Sequence, residues 1–165
     1  MINTTVHNAF LLLGSNLGDR AEVLHAAREL IAGRVGRITV TSSIYETAPW
    51  GLLDQPAFLN QVLRVETACE AEDVLRIILE IEHELGRVRE QRWGARLIDI
   101  DLLYLDDIVK DSAPLTLPHP RLHERRFTLV PLAEIAPAFL HPLLKQTSAQ
   151  LLSACADDSV VVLFS

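Results

Sequence analysis

Hydrophobic and polar positions follow two different periods along the chain, which predicts a mixture of strands and helices. Residues 9–13 form an unbroken apolar run that is typical of a buried strand, and residues 14–18 (GSNLG) have the composition of a turn. Asp19 and Glu22 then have the spacing of a capping box, which predicts a helix through about Ala32. The turn lacks the lysine of a P-loop and the glycine spacing of a dinucleotide fingerprint, so we interpret it as structural.

A segment rich in Ile, Val, Thr and Ser, 38–45, predicts a strand, and residues 58–65 predict another after a loop at residues 46–57. The most regular helical pattern follows them. Thr67 and Glu70 have capping-box spacing and predict its start, and Gly86 predicts its end. Apolar residues recur every three or four positions between these limits, at Val74, Ile78, Ile81 and Leu85.

The second half of the chain continues the mixture. The patterns predict a strand at 98–105, a turn at 106–107, a short return strand at 108–109, helices at 124–134 and 147–154, and a final strand at 160–164. Residues 116–120 (TLPHP) predict a rigid extended segment, because both prolines restrict the backbone. Hairpin-length connections such as 104–108 require antiparallel neighbours. We therefore expect an α+β fold with a mixed, mostly antiparallel sheet flanked by helices.

The composition indicates one globular domain over residues 1–165, since 49% of the residues are hydrophobic and 22% are charged. A net charge of −7 and an isoelectric point near 5.3 argue against a binder of nucleic acid or anionic membranes. We expect a cytoplasmic protein, because the N-terminal residues do not resemble a signal peptide and no apolar stretch approaches the ~20 residues of a membrane span. Cys69 and Cys155 lack the spacing of metal or redox sites, so we expect both to be reduced.

Against this acidic background, residues 86–97 (GRVREQRWGARL) concentrate positive charge just before the predicted strand at 98–105. The four arginines are Arg87, Arg89, Arg92 and Arg96. Side chains alternate along a strand, so Asp99 and Asp101 are expected to face one side while their hydrophobic neighbours face the core. Mg²⁺ combines carboxylates with phosphate oxygens, and arginine matches phosphate geometry. The segment therefore predicts a site for a metal-bound polyphosphate.

Each feature of this segment also has a purely structural explanation. Arg87 and Arg89 follow the predicted helix end, where cations complement the helix dipole, and an Asp-x-Asp pair is often the solvated face of a strand. The arginines are nevertheless concentrated in one stretch of a chain that has 15 Lys and Arg residues against 22 Asp and Glu residues. This local inversion of the charge favours an anion site.

Three other groups of residues are candidates for binding. His119 is held between two prolines, so we interpret it as a single hydrogen-bond donor and not as a metal ligand beside His123; a surface histidine is an equal alternative. A second basic group is interpreted by default as a solvated helix face, and it comprises Arg121, Arg125 and Arg126. Trp50 and Trp93 lie in glycine-containing loops, where each could stack on a flat ligand or cover the core.

Four sequence blocks occur in a characteristic order. They are residues 13–18 (LGSNLG), 46–60 (ETAPWG through DQPAFLN), 86–101 (ending RWGARLIDID) and 117–127 (beginning LPHP). Together these blocks resemble the 6-hydroxymethyl-7,8-dihydropterin pyrophosphokinases of folate biosynthesis, which transfer pyrophosphate from ATP to the hydroxymethyl group of the reduced pterin and release AMP. The resemblance implies a ferredoxin-like fold, two Mg²⁺ ions bound with ATP, and ATP and 6-hydroxymethyl-7,8-dihydropterin as substrates.

By this resemblance, Asp99 and Asp101 hold the metal ions, while Arg87 and Arg96 are the catalytic cations at the phosphates. The positions that match ATP contacts are Glu82, Arg89, Ile100, Thr116, His119 and Arg125. The positions that match pterin contacts are Thr47, Ala48, Trp50, Phe58, Asn60, Trp93 and Phe127. The chain departs from some family members where Leu79 replaces glutamine, Pro114 arginine, Pro120 tyrosine and Ala48 proline.

Two other classes of protein share part of this pattern. A ferredoxin-like chain can be a non-catalytic binding or regulatory module, but such a module has no need of an aspartate pair beside four arginines. A metal-dependent nucleotidyltransferase or nuclease would share the aspartates, yet it would usually present a broader cationic surface to its polymer. The resemblance therefore implies a pyrophosphokinase.

Overall fold

A computed structural model describes residues 5–48, 56–86 and 97–164. Its strands are β1 (His7–Ser15), β2 (Arg37–Thr41), β3 (Tyr45–Thr47), β4 (Phe58–Thr67), β5 (Asp99–Leu105), β6 (Lys110–Ser112), β7 (Leu115–Leu117) and β8 (Val161–Leu163). Six of them form one sheet in the order β5-β1-β4-β3-β8, with β2 also paired to β4, while β6 and β7 form a separate hairpin. Every strand pairing in the described ranges is antiparallel.

Helices cover both faces of the sheet because its central strand β1 is apolar on both sides. The helices are α1 (Arg20–Arg34), α2 (Ala71–Gly86), α3 (Arg126–Ile135) and α4 (Ser148–Ala154). Ala9, Leu11 and Leu13 belong to a core shared with α1 and α2. Phe10 and Leu12 belong to a second core shared with α3 and α4. The unbroken apolar run of β1 therefore reflects burial on both faces of a three-layer fold.

A β-bulge changes the alternation of side chains near the end of β5. The register with β1 shifts between Phe10 and Leu11, so that Leu102 pairs with Leu11 while Tyr104 pairs with Phe10. Leu103, the extra residue between these pairs, packs in the same core as Tyr104. The bulge thus places two consecutive large side chains against α3 and α4.

Two predicted helix starts are confirmed and one is wrong. Asp19 accepts a hydrogen bond from the backbone of Glu22 (3.3 Å) at the start of α1, and Thr147 forms a complete capping box at the start of α4. Thr67 is not a cap, because it is the last residue of β4 and its hydroxyl donates to the backbone oxygen of Val35 (2.6 Å). Pairing with β1 extends β4 into the position that the capping pattern assigned to the helix.

The single strand predicted at residues 38–45 is divided into β2 and β3. Ser42 lies at the break, where its hydroxyl accepts the backbone N–H of Val62 (2.9 Å) and donates to the backbone oxygen of Ser43 (2.7 Å). A side-chain acceptor satisfies the β4 N–H there, so the chain can leave the ladder without exposing that donor. The strand β3 then continues to Thr47, inside the predicted loop at 46–57.

The return strand predicted at 108–109 is also wrong. Asp106 adopts a positive φ of 51° and donates its N–H to the backbone oxygen of Asn8 (2.9 Å), and β6 then begins at Lys110 and pairs with β7. The helix predicted at 124–134 begins two residues later, after a 3-10 turn at Leu122–Glu124 and an extended Arg125. The helix and strand predicted near the C-terminus are confirmed as α4 and β8.

The predicted α+β class is confirmed, and the order of elements explains it. From β1 to β5 the chain follows a β-α-β-β-α-β pattern, in which the second strand is the divided pair β2 and β3. The central order β5-β1-β4-β3 with antiparallel neighbours is the ferredoxin-like arrangement that the resemblance implied. No helix within residues 5–48, 56–86 and 97–164 is long and apolar enough to cross a membrane.

Candidate active site

Strand register brings four distant residues into one row on the face of the sheet that α3 covers. Asp99 on β5 pairs with Gly14 on β1, Gly14 pairs with Asn60 on β4, and Asn60 pairs with Tyr45 on β3. Residues directly opposite each other in an antiparallel ladder point to the same face. The row therefore forms the floor of a cleft under the start of α3.

A cavity of about 520 Å³ occupies this cleft. Its lining comes from the sheet, from the 3-10 turn and from the start of α3: Leu12, Gly14, Thr47, Ala48, Phe58, Asn60, Asp99, Asp101, Arg121, Glu124, Arg125 and Phe127. The structure thus brings together two predicted metal ligands, one predicted ATP contact and five predicted pterin contacts.

The two aspartates face this cavity, as strand alternation predicts. Asp99 and Asp101 are partly exposed, while Ile98, Ile100 and Leu102 are buried in the core beneath α1 and α2. Side chains two residues apart on a strand are about 6–7 Å apart, close enough for two carboxylates to share bound cations. Within the described ranges, no group of three His, Cys, Asp or Glu side chains is arranged to hold a metal by itself.

Aromatic rings and buried polar atoms form the opposite part of the cavity. Phe58 and Phe127 contribute rings, and Thr47 and Asn60 are 3% and 4% exposed. The Asn60 amide nitrogen donates to the backbone oxygen of Leu13 (3.4 Å). The Thr47 Oγ1 and Asn60 Oδ1 atoms are buried and have no hydrogen-bond partner among the described residues. Such atoms carry a desolvation cost that a bound polar ligand would offset.

Gly14 keeps the floor of the cavity open. A Cβ atom at this position would lie 2.9 Å from the Asn60 amide nitrogen, closer than real contacts allow. The missing side chain therefore lets the Asn60 amide occupy the centre of the row between Asp99 and Tyr45. The glycine of the LGSNLG block, which we interpreted as structural, has a direct effect on the site.

Two cations line the same cavity as the aspartates. Arg121 and Arg125 both line it, so interpreting them as a solvated helix face is wrong. The chain makes a 3-10 turn between them, and both line the cavity together with residues of the sheet. Arg126 differs, since it lies outside the cavity lining and its backbone donates to Asp157 (2.9 Å). Arg125 also lies over the Phe127 ring, with its Cζ atom 5.7 Å from the centroid.

His119 is half-buried beside this charged group. Its Nδ1 atom accepts the backbone N–H of Arg121 (3.1 Å), so the neutral ring carries its proton on Nε2. Burial lowers the pKa of His119, the nearby Asp101 carboxylate opposes this, and Arg125 and Arg121 lower the pKa further. The ring is therefore neutral at pH 7 and can act as a hydrogen-bond donor, the role that its sequence context suggested.

A second recess of about 230 Å³ adjoins Asp99 on the α2 side. It is lined by Leu79, Glu82, His83, Gly86, Leu97, Ile98 and Asp99. The Glu82 carboxylate accepts the backbone N–H of Ile100 (2.7 Å), which links α2 to the start of β5. Asp99 is thus common to both cavities.

Two other residues that were predicted to contact ATP line neither cavity. The Ile100 side chain is buried in the core, and Thr116 lies on β7 opposite Asp111. Six predicted site residues lie outside the described ranges, namely Trp50, Arg87, Arg89, Arg92, Trp93 and Arg96.

Sequence reasoning missed four residues of the cavity: Leu12, Gly14, Arg121 and Glu124. The last two had a usable signal. Arg121, Glu124 and Arg125 are spaced three and four residues apart, so that they share one side of a helical turn directly after His119. Leu12 and Gly14 had no such signal in the sequence, because their place in the cavity depends on the register of β1.

Solved structures similar to this one share its fold. The triple-mutant HPPK-DHPS of Plasmodium falciparum superimposes with a TM-score of 0.76 at 18% sequence identity, over 92% of this chain and 43% of that one. The wild-type protein with pterin and p-hydroxybenzoate gives a TM-score of 0.73 at 20% identity and the same coverages. The chain therefore spans less than half the length of these proteins.

Sequence comparisons identify closer relatives. Proteins named 2-amino-4-hydroxy-6-hydroxymethyldihydropteridine pyrophosphokinase are similar to this chain in Methylorubrum extorquens (48% identical, covering 78% of this chain and 82% of the relative) and in Haemophilus influenzae (38%, covering 94% and 97%). The family model of 7,8-dihydro-6-hydroxymethylpterin-pyrophosphokinase (HPPK) matches residues 10–137. The chain belongs to this pyrophosphokinase family.

Proposed function

We propose that this protein transfers the pyrophosphoryl group of ATP to the hydroxymethyl group of 6-hydroxymethyl-7,8-dihydropterin, releasing AMP, as a step of folate biosynthesis. Family membership supports this activity. The observation that carries it in the structure is that Asp99 and Asp101 line a cavity that also holds two rings and two buried polar atoms with no partner among the described residues. A pair of carboxylates suited to binding metal ions thus lies beside a site for a flat polar ring.

The pterin would occupy the part of the cavity between β3, β4 and the start of α3. Phe58 and Phe127 offer faces for stacking, and each aromatic contact of this kind is worth about 0.5–1.5 kcal/mol beyond area burial. A pterin carries N–H donors and a carbonyl acceptor along one edge. The Asn60 and Thr47 oxygens, buried and without described partners, are suited to receive those donors.

ATP would extend from the recess beside α2 to the aspartates. That recess reaches Asp99 from one side and the pterin cavity reaches it from the other. A nucleotide base in the recess would therefore place its phosphates between the carboxylates and the hydroxymethyl group. Arg121 and Arg125 line the cavity and supply positive charge, and the His119 Nε2–H can donate to a phosphate oxygen.

Asp99 and Asp101 are the residues that would hold Mg²⁺, because this ion favours one or two carboxylates completed by water and phosphate oxygens. When bound, Mg²⁺ supplies charge neutralisation to the phosphate chain. We expect two ions, as the family resemblance implies.

In this reaction the protein has to position the two substrates and stabilise the charge on the phosphate oxygens. The hydroxymethyl oxygen attacks the β-phosphorus of ATP and releases its proton to solvent, the bond from this phosphorus to the oxygen bridging the α-phosphate breaks, and AMP leaves with that oxygen. The rings fix the pterin so that its hydroxymethyl group points at the β-phosphate, and the cationic wall stabilises the equatorial oxygens. Arg87 and Arg96 are expected to share this role from the sequence.

One assay tests the proposal. The full-length protein is incubated with ATP, Mg²⁺ and 6-hydroxymethyl-7,8-dihydropterin, and AMP, ADP and the pterin product are quantified separately. We expect equal amounts of AMP and pterin pyrophosphate, and neither product when the pterin is omitted. ADP as the nucleotide product, or AMP formed equally without pterin, would contradict the proposed function.

A further inference from the structure

Arg20 joins two segments of chain that carry the pterin side of the cavity. It is the first residue of α1, and its Nη1 atom lies 2.7 Å from Oε2 of Glu46 and 2.8 Å from the backbone oxygen of Ala57. Glu46 precedes the cavity residue Thr47 on β3, and Ala57 precedes the cavity residue Phe58 on β4. One guanidinium nitrogen thus bonds the chain on both sides of the connection between β3 and β4.

The geometry favours a strong link. An Nη atom carries two hydrogens, so both bonds can form at once, and both are assisted by the arginine charge. The Arg20 and Glu46 side chains are only 24% and 34% exposed, which limits screening by water. The pair of Arg37 and Glu66, which joins β2 to β4 at 3.0 Å, has an arginine that is 76% exposed and bonds no second acceptor among the described residues.

The final strand restrains Arg20 from a third direction. The Phe164 ring lies 5.6 Å from the Arg20 Cζ atom, and the Phe164 N–H donates to the backbone oxygen of Ile44 (2.9 Å). β8 also pairs with β3, placing Val162 opposite Glu46. The guanidinium is therefore held between the aromatic ring and the two acceptors, which reduces its rotamer freedom.

We propose that Arg20 is a positioning residue for the pterin, and this inference rests on the proposed function. Thr47 and Phe58 pair directly in the ladder of β3 and β4, so the spacing that Arg20 maintains sets the distance between a hydrogen-bonding group and a stacking ring. The aspartates lie on β5, separated from β4 by β1. Loss of the Arg20 link is therefore expected to affect the pterin and to leave MgATP binding nearly unchanged.

The binding test compares Arg20→Met with Arg37→Met, a matched change in the exposed arginine pair. Calorimetry measures the affinity for a non-hydrolysable MgATP analogue and then the affinity for pterin in its presence. We expect Arg20→Met to weaken pterin binding about tenfold, within the range for loss of a charge-assisted bond, and to change analogue binding less than about twofold. Arg37→Met is expected to change neither affinity.

A conservative variant separates positioning from general stability. Arg20→Lys retains a donor for both oxygens but has no planar group to lie against Phe164, so it is expected to recover part of the pterin affinity. In turnover, Arg20→Met is expected to raise KM for pterin while kcat at saturation stays within about threefold of the wild type, because the phosphate site is unaltered. The double variant Arg20→Met/Glu46→Gln is expected to bind pterin only slightly more weakly than Arg20→Met, since both changes remove the same contact.

Three results would overturn the inference: equal loss of pterin and MgATP-analogue affinity, unchanged pterin affinity in Arg20→Met, or no recovery in Arg20→Lys. If Arg20→Met does not fold, Glu46→Gln is measured alone, and unchanged pterin affinity in that variant also counts against the inference. A wild-type protein that forms no AMP from ATP and pterin would overturn the proposed function. Normal wild-type turnover with unchanged pterin affinity in Arg20→Met would overturn only the role of Arg20.

Discussion

At the scale of single residues, Asp99 and Asp101 owe their position to strand alternation and their chemistry to the charge around them. Their hydrophobic neighbours Ile98, Ile100 and Leu102 are anchored in the core, which fixes the direction of both carboxylates. Arg121 and Arg125 line the same cavity. The arrangement suits a ligand that carries both metal ions and phosphate groups.

We expect Asp99→Asn and Asp101→Asn each to abolish turnover and weaken MgATP binding, because one carboxylate cannot hold the metal as two can. The measurements are AMP formation and calorimetric titration with MgATP. Asp107→Asn, an exposed change in the turn after β5, is the control and is expected to retain activity. Full activity of either active-site variant with Mg²⁺ as the sole metal would contradict the assigned role.

Substitution of Phe127 tests the part of the same cavity that we assign to the pterin. Phe127→Ala is expected to weaken pterin binding by about tenfold or more, through lost stacking and lost apolar burial, while MgATP-analogue binding changes little. Phe127→Leu keeps apolar bulk without a flat ring, so an intermediate loss is expected. For both variants, titration with the analogue and then with pterin in its presence measures the two affinities. A selective loss of ATP affinity would show that the pterin pocket is wrongly placed.

At the scale of elements, Glu134 on α3 holds the segment from which β3 starts. Its carboxylate accepts the backbone N–H and hydroxyl of Ser43 (3.0 and 3.1 Å to Oε2) and the hydroxyl of Tyr45 (2.6 Å to Oε1). Burial and this bond raise the pKa of Tyr45 to about 12. Partial burial tends to raise the pKa of Glu134, but the bonds from Tyr45 and Ser43 outweigh it and the pKa lies below its usual value.

Glu134→Gln is expected to lower the free energy of unfolding by about 0.5–1 kcal/mol at pH 7, a modest value because the side chain is exposed. The folded-state pKa lies below the ordinary 4.5, so the contribution is present above that pH and is lost as the pH falls through the folded pKa. Urea unfolding from pH 7 to 3 measures it. Glu80→Gln, which removes an exposed pair with Arg76, is the control. A Glu134→Gln difference that persists at pH 3 would contradict this account.

At the scale of the whole molecule, His141 is a buried titratable residue in the connection between α3 and α4. It is 3% exposed, and its Nδ1 atom accepts the backbone N–H groups of Leu143 (3.2 Å) and Leu144 (3.0 Å). The rings of Tyr104 and His123 face it. Burial lowers the pKa of His141, and the neighbouring His123 lowers it further. Protonation would turn the Nδ1 acceptor into a donor facing two other donors.

The folded-state pKa of His141 lies below the ordinary 6.5, so the unfolded chain binds more protons between these values and stability falls as the pH drops below about 6.5. The pKa of His119 is also lowered, so this residue too makes the folded state less stable as the pH falls. We expect His141→Asn, whose Oδ1 can accept but cannot titrate, to flatten this fall without abolishing it. The urea midpoint between pH 7.5 and 5 is the measurement. An unchanged slope would show that His141 does not contribute.

Much of the fold was predictable because its signals are local. The apolar run at 9–13, the helical repeat from Val74 to Leu85 and the helix predicted at 147–154 all reappear as elements. The errors occur where distant contacts override local pattern. Thr67 has the sequence of a helix cap but pairs with His7 in the sheet, and the strand at 38–45 divides because Ser42 bonds to Val62. The single-domain organisation stays a prediction.

The sequence by itself determined which faces are buried and which chemistry is present, since periodicity and side-chain type are properties of neighbouring residues. It thereby predicted that the Asp99 and Asp101 pair faces away from the core, while the four sequence blocks indicated the family by resemblance. The tertiary structure alone decided which groups meet. Gly14, Asn60 and Asp99 adjoin one another only through strand register, and Arg121 shares a cavity with the aspartates only because of the turn before α3. Contacts between segments far apart in the chain depend on how elements pack, which local periodicity does not encode.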